Sequence, residues 1–272
     1  MVIKMDKKVL VLDIDGTLTN SQKEITERTR EAIIQTQERG HIVILASGRP
    51  TPGMKRYAEE LELEKYGGYL LSFNGAKIIN YKTKEIVFQQ TLPKEMIPKI
   101  YQYAEMHDCG IVTYTEDCII SGRRIDKYLE LESHINQMPM KEVMNFPEYQ
   151  KQDLNKCLLT AEPGLAEKYE KELQTICGEA LSIYRSEPFF IEVMPRDIDK
   201  ATSLDKMLKS VGLTRENAIC CGDGFNDMTM IQYAGVGVAM ENAQPVVKEA
   251  ANYITKSNDA DGIAHVVDKF IL

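Results

Sequence analysis

The sequence predicts an α/β protein: a doubly wound parallel sheet built from both ends of the chain, with an α+β domain inserted between them. Three observations carry this. Short continuous apolar runs alternate with helical stretches at both ends, most of these runs end in a polar loop, and between residues 84 and 187 the texture changes to hairpins and separate helices.

The elements follow in order. Val9–Leu12 is an apolar run stopped by Asp13 and reads as a buried strand. Residues 26–39 have helical composition with Gly40 as the stop, and 42–45 form a second strand ending at Ser47-Gly48-Arg49-Pro50. Pro52 opens a helix expected to run to residue 63, Gly67-Gly68 breaks the pattern, and 69–73 give a third strand ending at Asn74-Gly75. The tail repeats the rhythm: a helix over 200–211 stopped by Gly212, a strand over 218–221 ending at Gly222-Asp223-Gly224, a helix over 227–233, a strand over 235–239, and helices over 245–251 and 262–270. The two ends are expected to form one sheet. The insert shows strands near 110–114 and 118–121 and helices near 93–107 and 165–177. About 100 residues are enough for a separate small core. The expected division is therefore 1–83 with 188–272 as the core domain and 84–187 as the insert.

Composition excludes several classes. The chain has 272 residues, 33 Lys+Arg against 41 Asp+Glu, a net charge of −8 and 43% hydrophobic residues, so it can bury a core and is not a disordered chain. Scattered basic residues on an acidic chain argue against a nucleic-acid partner, while one local pocket can still hold a small phosphorylated metabolite. Lys4, Lys7 and Lys8 precede the first apolar run, but Asp13 cuts that run short of a signal peptide, and no stretch approaches the ~18 apolar residues of a membrane span. A cytoplasmic protein without membrane partner is expected; oligomeric state has no visible signature. The six cysteines form no C-x-x-C pair and read as reduced thiols, with Cys220 and Cys221 as small core residues.

The chemistry lies at the strand ends, where open α/β sheets bind ligands. Asp13-Ile14-Asp15-Gly16-Thr17-Leu18, Ser47-Gly48-Arg49-Pro50 and Gly222-Asp223-Gly224-Phe225-Asn226-Asp227 would bring several carboxylates together. Such a group repels itself unless a cation sits in it, and oxygen-only donors suit Mg²⁺. Carboxylates, Mg²⁺ and hydroxyl or amide donors make a phosphoryl-transfer site. Asp13 and Asp15, two apart on extended chain, face one side. Ser47 and the Gly48 amide can donate to phosphate oxygens. Lys200, after Asp199 at a helix start, is the candidate cation.

These three segments, with Lys200 before a helix, resemble in order and spacing the four motifs of the haloacid dehalogenase superfamily of phosphatases. Asn74-Gly75-Ala76, Glu192-Val193-Met194-Pro195, the stretch from Gly235 to Ala243 and the insert resemble its Cof-type subfamily with a type IIB cap. The resemblance implies a Rossmann-like core and a phosphatase acting through an aspartyl-phosphate. It implies Asp13 as nucleophile and Asp15 as general acid/base. Thr17, Ser47, Gly48, Lys200 and Asn226 would bind phosphate or substrate. Asp13, the Asp15 carbonyl and Asp223 would surround Mg²⁺, with Asp227 supporting the metal site. The subfamily usually reads Ser-Lys-Gly where this chain has Asp199-Lys200-Ala201, so Lys206 stands as the fallback cation. A non-turnover phosphate-sensing module would use much the same residues but needs no cap, and a phosphomutase would move phosphate without releasing it. In the insert, Arg123 and Arg124 could meet a substrate anion and Tyr114, Tyr128 and Tyr184 a ring, though solvated surface and packing are the ordinary roles of such residues.

Overall fold

The computed structural model describes residues 7–272, so Lys4 lies outside the described residues. In chain order the strands are β1 (Val9–Leu12), β2 (Ile42–Ala46), β3 (Tyr69–Ser72), β4 (Lys77–Asn80), β5 (Ile86–Gln89), β6 (Gly110–Tyr114), β7 (Ile119–Ser121), β8 (Met140–Glu142), β9 (Cys157–Thr160), β10 (Leu181–Glu187), β11 (Phe190–Pro195), β12 (Ala218–Gly222), β13 (Val236–Ala239) and β14 (Tyr253–Ile254). The helices are α1 (Glu27–Glu38), α2 (Lys55–Glu60), α3 (Leu63–Tyr66), α4 (Ile97–Met106), α5 (Lys127–Asn136), α6 (Pro163–Cys177), α7 (Lys200–Ser210), α8 (Met228–Tyr233), α9 (Pro245–Ala250) and α10 (Gly262–Phe270).

The chain divides into two compact units. One holds the residues up to 49, 54–88 and 199–272; the other holds 50–53 and 89–198. In the first, eight strands form one sheet in the order β14-β13-β12-β1-β2-β3-β4-β5. Pairing is parallel from β14 to β3 and antiparallel between β3 and β4. Leu10 and Leu12 of β1 join one core, with Ile33 of α1, Val247 of α9 and Val267 of α10. Val9 and Val11 join another, with Leu204 and Met207 of α7 and Met230 of α8. A strand whose alternate residues are buried on opposite sides must lie inside a sheet covered on both faces, which is why its sequence reads as a continuous apolar run.

The second unit is built on a six-stranded sheet, β10-β11-β9-β6-β7-β8. Ile111, Leu159, Ile191 and Val193 pack one face of it against Ile100 of α4 and Leu173 of α6. Its limits differ from those expected at 84 and 187. Most of β5 stays with the first unit, and β11 pairs antiparallel with both β9 and β10, so the Ser186-Glu187-Pro188 segment lies at a hairpin turn rather than at an exit.

Other differences have local causes. The helix expected over 52–63 is a 3₁₀ turn (Thr51–Met54), then α2, then α3, because Glu62 adopts a left-handed conformation (φ 53°) that ends one helix and starts the next. Helix α5 was not expected; Asp126 caps it by accepting from the Tyr128 and Leu129 amides, both at 2.8 Å. Among the described residues no helix is long and apolar enough to cross a membrane.

Candidate active site

Parallel register assembles the site within the first unit. Leu12 of β1 pairs with Cys221 of β12 on one side and Leu45 of β2 on the other, so Asp13, Asp223 and Ser47 leave the sheet at neighbouring carboxyl ends. The Asp13 amide donates to the Cys221 carbonyl at 3.1 Å, extending the ladder by one residue. Gly16, with φ at +84°, turns the chain beside Asp223; a Cβ there would lie 2.4 Å from Asp223 Oδ2.

At the centre is Lys200, wholly buried. Its Nζ donates to Asp13 Oδ1 and Asp227 Oδ1, both at 2.6 Å, and to the Ala46 carbonyl at 2.9 Å. Asp199 is the N-cap of α7, accepting from the Ala201 and Thr202 amides at 2.7 and 2.9 Å, so its charge serves the helix start. The fallback Lys206 instead lies with Nζ 3.9 Å from the centre of the Phe88 ring. Oxygens of Asp13, Asp223 and Asp227 lie within 4.8 Å of one another. Asp227 Oδ2 accepts from the Asp223 and Gly224 amides at 3.0 and 2.9 Å, and Thr17 Oγ1 donates to Asp223 Oδ1 at 2.8 Å.

Charge is out of balance there. Burial, with the neighbouring Asp227, pushes the Asp13 carboxyl well above its usual range against the pull of Lys200. Asp223 is pushed up to about 6, chiefly by burial, with the Thr17 hydrogen bond opposing and Asp227 reinforcing. Lys200 stays protonated despite its burial because Asp13 and Asp227 flank it. Three carboxylates around one ammonium form an oxygen-only donor set that a hard divalent cation fits.

Asp15 points elsewhere. Arg49 Nε donates to its Oδ2 at 2.7 Å and a second guanidinium nitrogen to its Oδ1 at 2.8 Å, while Lys23 Nζ lies 3.0 Å from Oδ1. Burial opposes ionisation, but these contacts overcome it and hold the carboxyl at about 2. Ser47 is buried and its Oγ accepts from the Arg49 amide at 3.2 Å. A Cβ on Gly48 would lie 3.2 Å from the Asn74 side-chain amide, and Asn74 Oδ1 accepts from Asn226 at 3.1 Å. The structure thus places the Asp13, Asp223, Asp227 and Lys200 side chains together. It turns the Thr17 hydroxyl and the Asp15 carboxylate to other partners, and it leaves Asn226 exposed on Asn74. Sequence reasoning missed Arg49 and Lys23 as partners of Asp15, and Asn242, whose Nδ2 donates to the Gly16 carbonyl at 2.8 Å. Of these only Arg49 carried a signal, its place at a strand end.

The model of the haloacid dehalogenase-like hydrolase family matches residues 10–267. The crystal structure of a haloacid dehalogenase-like hydrolase from Bacteroides thetaiotaomicron superposes with TM-score 0.94 at 43% identity, covering 97% of this chain and 100% of that one. The HAD subclass IIB sugar phosphatase BT4131 superposes with TM-score 0.82 at 25% identity, covering 97% and 99%. The 5-amino-6-(5-phospho-D-ribitylamino)uracil phosphatase YcsE of Bacillus subtilis is 30% identical over 269 residues, 98% of this chain and 97% of its own.

Proposed function

Because the chain belongs to the haloacid dehalogenase-like hydrolase family and is a phosphatase, we propose that it hydrolyses small phosphate monoesters, sugar phosphates or similar metabolites, in a Mg²⁺-dependent reaction through a phospho-Asp13 intermediate. The observation that carries the reading is the buried Lys200 held between Asp13 and Asp227 beside Asp223, a cation-poor carboxylate cluster at the strand ends. Asp13 and Asp223, with the Asp15 carbonyl, would hold Mg²⁺, and Asp227 would brace them. Bound there, the ion supplies charge neutralisation and orientation to the phosphoryl group.

Lys200 fixes one Asp13 oxygen and keeps its charge ready for attack on phosphorus. As the Asp13–phosphorus bond forms, the bond to the leaving oxygen breaks, and Asp15 delivers the proton that the leaving alkoxide needs. In the second half a water attacks phosphorus, Asp15 takes its proton, and Asp13 is released with inorganic phosphate. The Arg49 pairing keeps Asp15 as the carboxylate, the form required for the second half. In the first half Asp15 acts with the Arg49 pair open and carrying the proton it took from water in the preceding turnover. Ser47 and the Gly48 amide line the phosphate side, and the second unit serves as a type IIB cap that sets the leaving-group preference. The sugar-phosphate class is supported by the subclass IIB sugar phosphatase among the structural neighbours, and a phosphorylated ribityl substrate is named for YcsE. A cytoplasmic location accords with metabolite substrates.

The test is phosphate release with Mg²⁺ across sugar phosphates, nucleotides and pyridoxal phosphate, for the wild type and for Asp13→Asn. The expected result is turnover of sugar phosphates, lost by several orders of magnitude in Asp13→Asn with the fold intact. Activity within about tenfold of wild type would make water the direct nucleophile.

A further inference from the structure

The turn after β3 is strained, and it fixes one amide side chain within the strand-end cluster. Phe73, Asn74 and Gly75 all have left-handed backbone, with φ at 52°, 52° and 107°. Asn and Gly accept that region readily; a buried phenylalanine does not, and such strain persists only where surrounding contacts impose it. Those contacts are present. The Phe73 amide donates to the Arg49 carbonyl and the Asn74 amide to the Ser47 carbonyl, both at 2.9 Å, while Ser203 Oγ donates to the Gly75 carbonyl at 2.8 Å. The turn is thereby fastened to the Ser47-Gly48-Arg49 segment and to the first turn of α7, which begins with Lys200.

The half-buried Asn74 side chain then joins loops that the sheet holds apart. Strand order is β12-β1-β2-β3, so Asn74 after β3 and Asn226 after β12 belong to strands three spacings apart, roughly 14 Å. Yet Asn226 Nδ2 donates to Asn74 Oδ1 at 3.1 Å. The bridge therefore crosses the ends of β1 and β2, where Asp13 and Ser47 leave the sheet. On the way Asn74 lies against Gly48: a Cβ there would stand 3.2 Å from both its Nδ2 and its Oδ1. A turn residue selected for its backbone alone needs none of these side-chain contacts, and glycine would serve such a turn better.

We infer that Asn74 is a positioning residue of the phosphoryl transfer: its carboxamide holds Asn226 across the ends of β1 and β2, so that Asn226 and the Gly48 amide meet one phosphoryl group at Asp13. The inference rests on the phosphatase reading above and deepens it. Because the phosphoryl group is common to every ester, Asn74 acts alike on all of them.

The experiment measures kcat and KM of the full chain for p-nitrophenyl phosphate and glucose 6-phosphate, and inhibition by orthovanadate, whose five-coordinate form mimics the transferring phosphoryl group. It compares the wild type, Asn74→Gly, Asn226→Ala and the double variant. Glycine keeps the left-handed backbone and removes only the carboxamide. Asn74→Gly should melt within about 3 °C of wild type and keep its Mg²⁺ requirement, yet lose about tenfold in kcat/KM on each ester the wild type turns over and need about tenfold more orthovanadate. In the Asn226→Ala background the same substitution should cost less than about twofold, since Asn74 acts through Asn226. Asn74→Gly within about twofold of wild type in both readouts would make Asn74 a turn residue only and overturn the inference. Additive losses in the double variant, or a loss on only one of two esters turned over, would overturn it as well. If Asn74→Gly fails to fold, Asn74→Asp, which also tolerates the left-handed backbone, decides. A carboxylate beside the phosphoryl group should raise KM and the orthovanadate requirement by about tenfold, and unchanged values overturn the inference. A wild type that turns over neither ester defeats the phosphatase reading, and this inference with it.

Discussion

Replacing Lys200 with Met removes an ammonium that is fully buried and held 2.6 Å from two carboxylate oxygens, while keeping most of the side-chain volume. The apolar stem is replaced nearly in kind, so the loss is electrostatic. Asp13 and Asp227 are 6% and 1% exposed and would face each other and Asp223 without their cation. Breaking a buried pair by removing one partner costs about 3–5 kcal/mol. At about 2–4 °C per kcal/mol for chains of this size, the melting temperature in chelator should fall by roughly 6–20 °C. The chain has no Trp, so far-UV circular dichroism is the suitable probe. Added Mg²⁺ should narrow the gap between variant and wild type, because a divalent cation among the same carboxylates replaces part of the lost charge. Phosphatase activity should drop by about 10²–10³-fold even with saturating Mg²⁺, since Asp13, the proposed nucleophile, loses its fixed partner. A variant melting within about 2 °C of wild type in chelator would refute the reasoning, because the carboxylates would then have been tolerated without an ammonium between them.

Three further outcomes test the surroundings. EDTA should abolish phosphate release and Mg²⁺ restore it, whereas Ca²⁺, larger and looser in coordination, should not support equal activity; a metal-titrated activity assay decides. Gly16→Ala would place a Cβ 2.4 Å from Asp223 Oδ2 at a φ of +84°, so it should raise the Mg²⁺ concentration for half-maximal activity by about tenfold or more, and an unchanged midpoint would contradict the close approach. Burial pushes the Cys157 thiol up to about 12 and raises the Cys220 thiol strongly, while Cys118 is only partly buried. Native-state thiol titration should therefore label Cys118 first and Cys220 only after denaturant, and prompt labelling of Cys220 in the folded protein would contradict its placement.

What could be read from the sequence divides along physical lines. Within the first sheet β1, β2, β3, β12 and β13 were legible because they are short, almost wholly buried apolar runs, and because each candidate side chain leaves the sheet immediately after such a run: Asp13 after Leu12, Ser47 after Ala46, Asp223 after Gly222; β4, β5 and β14, more exposed, were not expected. A contiguous motif is enough when the backbone itself delivers the side chain. Lys200 was harder, since Asp199 beside it looked like a departure from pattern; the structure shows Asp199 capping the helix while the lysine reaches Asp13 across 187 residues of sequence. The partner of Asp15 was not legible at all, because nothing local says that the long Arg49 side chain folds back toward Asp15 instead of pointing outward along its loop.

The second unit shows the other limit. Its chain limits were misplaced because Ser186-Glu187-Pro188 has the composition of a linker yet lies at the turn between two paired strands, and composition records exposure, which a hairpin tip and a linker share. Buried polar contacts of that unit illustrate the same point more sharply: Lys156 Nζ lies 3.0 Å from Glu192 Oε2, and the Tyr114 hydroxyl donates to Glu132 Oε1 at 2.6 Å. Tyr114, Glu132, Lys156 and Glu192 come from four separate segments, one residue each, and Lys156 before Cys157-Leu158-Leu159 reads as a lysine at the mouth of a strand. Only the sheet order, with β9 between β11 and β6, sets Lys156 beside both Glu192 and Tyr114. Chemistry common to every phosphate ester can be carried by a few contiguous strand-end motifs.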